Sequence, residues 1–298
     1  MMYLSVVGHL CEDIIIKVPE IPKKGSIKVL EENIFFGGCG GNIARIAAKL
    51  GVPTSLFTYV GKDFSKDYLN ALKEDNINLD GVKIMEGKGP KCYLITDGNK
   101  QIAFLNQGPM DTPYDMEDVV GSWVHLGTGN PLSYPKIAEL AKKSSVKISF
   151  DPSQEIHYRY DKRILSEILS LTDILFCNEI ELEKILELLD ENMDELRKIV
   201  QVIIKTNHSE GVDVYAQEDF HVDALKVENV VDSTGAGDAF RGGFYAGLYR
   251  KFSLKESIRI GVSTASFVIE KIGAQSNLPI WTEVLERANI EKGDKDGY

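Results

Sequence analysis

The chain has 298 residues, 43% hydrophobic and 27% charged, which are the proportions of a globular protein able to bury one sizeable core. A formal net charge of -11 argues against a nucleic-acid-binding or anionic-membrane-binding surface, and no apolar run approaches the roughly 20 residues that span a bilayer. Four scattered cysteines (Cys11, Cys39, Cys92 and Cys177) form no C-x-x-C pair, which argues against a zinc site and a disulfide framework.

The start runs into an apolar strand, residues 3–7, without a basic leader, so a cytoplasmic location is expected. Strands are predicted at 14–18 and, with more alternation, at 27–36; they flank Pro19 and Pro22 and interrupt any strand–helix rhythm. Residues 42–50 have Ile43, Ala47 and Leu50 at helical spacing and stop at Gly51. A strand at 56–60 and a helix at 64–74 follow. Strands 91–96 and 101–106 form a hairpin through Asp97-Gly98-Asn99 with no helix of their own, and join the earlier pair in a small β-appendage.

From Trp123 the order is regular: strand 123–126, helix near 134–143, strand 147–150, helix near 161–171, strand 173–177, helix 179–189, strand 200–204. Such alternation predicts a parallel sheet covered by helices. A two-stranded excursion (212–216 and 220–223) precedes helices near 237–250, 254–271 and 281–290, and 291–298 is a polar tail. Ligands of such sheets bind beyond the carboxyl ends of the strands, which marks residues 8–13, 127–130, 151–154 and 178–181.

The stretch richest in chemistry is Asp232-Ser-Thr-Gly-Ala-Gly-Asp-Ala-Phe240. A glycine-poised turn opening a helix presents free amides and a positive dipole end to an anion. A carboxylate there, Asp238, would repel phosphate unless a reacting hydroxyl lies between them, an arrangement that suits phosphoryl transfer. The alternative is a helix start capped by Asp232 or Asp238. The run misses the dinucleotide fingerprint at its last glycine, and no G-x-x-x-x-G-K-[ST] occurs.

This run resembles the second signature of the ribokinase-like (PfkB) carbohydrate and nucleoside kinases, whose final Asp is the catalytic base. The resemblance implies a ribokinase-like α/β fold, one domain over 1–298, with a central, mostly parallel sheet covered by helices on both faces. A small β-sheet lid would be inserted near 14–36 and 91–106. Gly37-Gly-Cys-Gly-Gly-Asn42 resembles the first signature, which implies that Gly38 and Asn42 bond a sugar ring; alone, it reads as a glycine turn with Asn42 as helix cap. Asp13 matches the family's early Asp, an acceptor for sugar hydroxyls; alone, it reads as a solvated turn residue. Asn178-Glu-Ile-Glu181 resembles the N-x-x-E motif that positions magnesium and phosphates, and equally spells a capping box.

Lys205 to Gly211 falls where the family carries a glycine turn over the nucleotide. Gly211 fits, but Asn207 and His208 depart from the pattern and leave base contacts and donor preference open; Lys205 is either a phosphate contact or an exposed strand-end lysine. Gly8-His9, the stretch from Phe150 to Gln154, Arg241 and the segment 273–281 look more like the family's nucleoside kinases than its ribokinases or fructokinases. Some relatives also bind a monovalent cation through carbonyls near the positions of Asp232 and Ser276. The five histidines show no ligand spacing, and only His9 is a candidate for lining a substrate pocket.

The expected activity is therefore phosphoryl transfer from ATP, with Mg2+, to the primary (5′-type) hydroxyl of a nucleoside. Asp238 is the expected base, with the Gly235, Ala236 and Gly237 amides stabilising the moving charge. Asp13, Gly38, Asn42 and Gln154 are expected to hold the acceptor, Asn178 and Glu181 the metal, and Lys205 and Gly211 the nucleotide. A loose transition state asks no strongly raised pKa of Asp238. A free sugar such as ribose or fructose, or a keto-acid sugar, is the alternative acceptor; a nucleoside needs a broader pocket with apolar contacts, for which Phe104, Tyr93 and Met110 are candidates. A non-catalytic sugar or nucleotide sensor is a third reading, against which the intact Asp238 counts. Exposed lid edges predict a homodimer through the lid.

Overall fold

The structure, a computed structural model, describes residues 2–291, so Met1 and most of the expected tail, 292–298, lie outside it. Strand β1 (Leu4–Val7) is buried throughout, and its side chains divide between two cores: Leu4 and Val6 enter one, Val7 the other. A strand buried on both faces requires a helical layer on each side. β1 pairs in parallel with β4 (Thr54–Gly61) on one side and β8 (Trp123–Leu126) on the other. Beyond β4 lies β5 (Asn78–Met85); beyond β8 lie β9 (Lys147–Phe150), β10 (Ile174–Asn178) and β11 (Val202–Thr206), all parallel. The antiparallel β12 (Val212–Tyr215) and β13 (Phe220–Val222) complete a nine-stranded sheet among the described residues.

Helices α1 (Cys39–Lys49), α2 (Lys66–Glu74), α7 (Ala236–Tyr249), α8 (Leu254–Val268) and α9 (Trp281–Arg287) feed the core that holds Leu4 and Val6. Helices α3 (Tyr134–Lys143), α4 (Lys162–Leu169), α5 (Glu179–Leu189) and α6 (Met193–Ile199) feed the other. Among the described residues no helix is long and apolar enough to cross a membrane. The expected appendage is a second sheet of β2 (Cys11–Lys17), β3 (Glu31–Gly37), β6 (Lys91–Thr96) and β7 (Gln101–Asn106), in the order β3-β2-β6-β7.

The predicted elements are present, and two were missed. β5 is an edge strand whose register against β4 shifts between Ser55 and Phe57, and the alternation of its side chains breaks at Gly81–Val82. α6 has seven residues behind an Asn192 cap and buries only Leu196, too little for a periodic signal. Two boundaries matter for the site. β3 begins at Glu31 rather than 27, and β2 begins at Cys11, so Asp13 is a strand residue paired with Phe35 and Cys92, not a solvated turn residue.

The order of connection reverses at β1, which lies between β4 and β8, and that reversal opens a crevice at the strands' carboxyl ends. α7, whose first turn carries Asp238, packs on α8 so closely that a Cβ on Gly243 would overlap the Thr264 hydroxyl. Gly243→Ala should therefore cost about 1–3 kcal/mol by overpacking, seen as a lower urea midpoint with unchanged slope. An unchanged midpoint would mean that the helix pair can part freely.

Candidate active site

The second glycine motif is fastened at both ends. The Asp232 carboxylate accepts N–H bonds from Thr234 and from Gly273, both 2.9 Å, tying the motif to the turn after α8. Gly235, at the N-cap of α7, has φ 78°, and a Cβ there would run into Ala274. The first-turn amides of α7 are thus presented at a helix start, with Asp238 buried among them.

Asp238 meets the first glycine motif directly. Asn42 Nδ2 donates to Asp238 Oδ2 at 2.7 Å, although the two residues are 196 apart in sequence. Asn42 is not a cap: α1 starts at Cys39 behind Gly38, and Asn42 lies inside the helix with its side chain turned to Asp238. Gly38 has φ 85°, and a Cβ there would lie 2.7 Å from the His9 carbonyl, so the backbone at the end of β1 already requires this glycine. Burial raises Asp238 to about 6, against the lowering effects of the Asn42 bond and of Arg241. That is higher than a loose transition state was expected to require.

Arg241, one turn further along α7, is a buried cation. Its Nε lies 2.6 Å from Asp151 Oδ2, and its guanidinium sits 5.2 Å from the centre of the Phe176 ring. Burial raises Asp151 even so, because its desolvation outweighs the attraction of Arg241. Glu181 is also buried and is raised to about 7, first by burial and then by Asp151. Its Oε2 accepts from the Asn178 N–H while Asn178 Oδ1 accepts from the Glu181 N–H, both 2.8 Å: the capping box is real. Among the described residues no three His, Cys, Asp or Glu side chains converge to hold a metal. A hydrated divalent ion carried mainly by phosphates, with a single carboxylate beside it, fits this oxygen donor set.

Asp13 is half-buried. It accepts from the Cys11 thiol at 3.4 Å, and burial raises it to about 6. Strand register puts Cys92 and Leu105 on its face of the small sheet, and Tyr93 and Phe104 on the opposite face. The expected aromatic contacts are therefore not gathered beside Asp13, and Met110 is buried in the 3₁₀ turn Gly108–Asp111.

Gln154 is exposed on the 3₁₀ turn Ser153–His157, and its neighbour Glu155 takes the inward position. Glu155 accepts from the Gly129 N–H at 2.7 Å, lies 3.6 Å from His9 Nε2, and is pushed up to about 7 by burial. Burial and Arg159 lower His9 to about 3, so it is a neutral partner. Lys205 is neither free nor fully exposed: its Nζ lies 3.2 Å from Asp213, which also accepts from Asn207 and bonds His221. Gly211, with φ 110°, is required because a Cβ would strike the Val222 carbonyl.

Sequence reasoning singled out Arg241 and the segment 273–281 only by resemblance, and missed the contact of Gln275 with Asn42 and the buried ion pair of Arg241. A cation among the small and apolar residues Ala239 to Ala246 was the available signal for Arg241; within 273–281 nothing in the residue pattern itself pointed to Gln275.

Comparison with known proteins agrees with this geometry. A sequence model described as pfkB family carbohydrate kinase matches residues 1–281. The chain is 34% identical over 295 residues to a nucleoside kinase of Methanocaldococcus jannaschii, covering 95% of this chain and 96% of the relative. It is 33% identical over 288 residues to a nucleoside kinase of Thermoplasma acidophilum, covering 96% of each. The crystal structure of the Methanocaldococcus jannaschii nucleoside kinase, described as an archaeal member of the ribokinase family, superposes with a TM-score of 0.92 over 97% of this chain and 98% of that one.

Removing the buried cation should expose the cost of its neighbours. Arg241→Met strands Asp151 and Asp238, whose folded pKa values then lie further above their unfolded ones. Such carboxylates are tolerated below the unfolded pKa and destabilise as pH rises. The variant should lose about 3–5 kcal/mol at pH 8 and clearly less near pH 5, as read from urea unfolding. An equal loss at both pH values would mean that packing, not charge, is what Arg241 supplies.

Proposed function

The chain belongs to the pfkB family of carbohydrate kinases, and on that premise we propose that it transfers the terminal phosphoryl group of ATP to the primary 5′-type hydroxyl of a nucleoside. One observation carries this reading: the two glycine motifs converge, so that Asn42 of the first bonds Asp238 of the second at the amide-rich start of α7. The two relatives at 34% and 33% identity are nucleoside kinases, which favours a nucleoside over a free sugar.

In this reading the acceptor hydroxyl lies against Asp238, which takes its proton as the oxygen bonds phosphorus and ADP leaves. The amides of Gly235, Ala236 and Gly237 hold the charge that shifts across the transferred group. Asp13 accepts the sugar hydroxyls, with Gly38 and Asn42 beside it; Gln154 would reach the acceptor only by turning inward from its exposed position. Magnesium entering with ATP would neutralise phosphate charge. Asn178 and Glu181 orient the phosphates around it, and Lys205 and Gly211 flank the nucleotide. A monovalent cation at carbonyls near Asp232 and Ser276 is compatible with the bond that joins those segments through Gly273. The small sheet, as a lid within one domain spanning the chain, excludes water when closed. Its β7 is an edge strand exposed at every residue, including Ile102, Phe104 and Leu105, which supports a homodimer through the lid.

ADP formation from Mg-ATP across a panel of nucleosides, ribose and fructose tests the acceptor; turnover on free sugars alone would overturn the nucleoside. Asp238→Asn should abolish turnover while acceptor binding stays within about tenfold, and retained turnover would remove the base. Asp13→Ala should raise the acceptor KM more than tenfold, since a charged hydrogen bond contributes roughly 1.5–3 kcal/mol. In the pH profile of kcat/KM, activity should fall as pH drops through about 6, where Asp238 and Asp13 take up protons. A profile flat to pH 5 would contradict both roles.

A further inference from the structure

Gln275 lies in the turn after α8 and makes three side-chain hydrogen bonds. Its Nε2 donates to Asn42 Oδ1 at 2.7 Å and to Tyr68 Oη at 2.6 Å, one N–H to each. Its Oε1 accepts from Arg45 Nη1 at 2.8 Å. Arg45 is itself held by Asp75, 2.6 Å from its Nε, and the Tyr68 hydroxyl donates onward to the Gly37 carbonyl at 2.9 Å.

The network has a direction. A guanidinium can only donate, so the oxygen of the Gln275 amide must face Arg45 and its nitrogen must face Asn42. That nitrogen in turn requires the oxygen of the Asn42 amide, which leaves the Asn42 nitrogen for Asp238. An amide can turn over within its own volume, and its partners decide which end points where. Without Gln275, only Asp238 itself would hold the Asn42 amide this way round, and once Asp238 takes up a proton the amide could turn its oxygen to accept it.

We propose that Gln275 is a positioning residue for the catalytic base: it fixes the Asn42 amide so that an N–H, and not the carbonyl oxygen, meets Asp238. The proposal rests on the reading of Asp238 as the base. The other groups around Asp238 are Cys39, which bonds it from α1, Arg241 on its own helix, and Asp151 after β9. None of them touches the far side of the Asn42 amide, so none replaces Gln275.

The test compares pH profiles of kcat/KM for wild type, Gln275→Leu and Gln275→Glu. Gln275→Glu keeps the shape and the Arg45 contact but cannot donate to Asn42; Gln275→Leu removes the donor and adds no charge. The acid limb should move to higher pH in both, by about one pH unit in Gln275→Glu and by less in Gln275→Leu. At pH 6, kcat/KM should then fall about fivefold in Gln275→Glu and by less in Gln275→Leu, and recover to near the wild-type value by pH 8.5, with the KM for ATP unchanged. A limb that moves only in Gln275→Glu would assign the effect to the new charge and overturn the proposal. So would a loss equal at every pH, or failure of either variant to fold by circular dichroism, since each would make Gln275 a structural residue only. Failure of the underlying reading looks different: Asp238→Asn would retain turnover, or wild type would show no acid limb at all.

Discussion

The hydrogen bond from Asn42 to Asp238 joins the first turns of α1 and α7, elements that lie 196 residues apart in sequence but side by side at the carboxyl end of β1. It holds only while α1 lies close against the end of β1, where a Cβ on Gly40 would come within 2.5 Å of the Gly8 carbonyl carbon. It also requires that α7 be seated on α8, and that the turn after α8 return to Asp232 through the Gly273 N–H. Gly38 and Gly40 of the first motif have this purpose: a Cβ on either would run into the backbone of residues 8–11, and that close approach brings the helix start to the buried carboxylate.

Around that bond the charge is arranged unusually for an acidic chain. Arg241 is buried beside Asp151, near Asp238 and Glu181, so one internal cation serves three buried carboxylates. Burial still raises all three. The site thus favours cations and protons until a ligand brings its own compensation, in keeping with a nucleotide that enters together with a divalent ion. A buried ion pair of this kind is weak grounds for extra stability, and its value here is a defined arrangement of carboxylates.

Much of this was legible in the chain. The strand–helix alternation from Trp123 onward follows from short, wholly buried apolar strands, and β8, α3 and β9 fall where the periodicity placed them. The hairpin of β6 and β7 was carried by Asp97-Gly98-Asn99, and the carboxylate bonds to the Asn99 and Lys100 amides explain that signal physically. What escaped depends on long-range packing. Whether Asn42 caps a helix or reaches Asp238 is decided by where α1 begins, three residues earlier than its apolar period suggests. Whether Gln154 or Glu155 turns inward is decided by a 3₁₀ turn that no periodicity announces. Tyr93 and Phe104 are candidates for apolar contacts by residue type alone, whereas strand register, invisible in sequence, puts them on the face away from Asp13.

The small sheet is not made from one continuous stretch. β2 leaves the chain directly after β1, yet its parallel partner β6 arrives only after α1, β4, α2 and β5, with Glu12 paired to Lys91. During synthesis β2 and β3 therefore emerge as a bare hairpin, and most of one flank of the main sheet is threaded before β6 can close it. The pairing of β2 with β6 is thus one of the longer-range contacts in the chain, and the sheet that bears Asp13 can be completed only once β6 has been made.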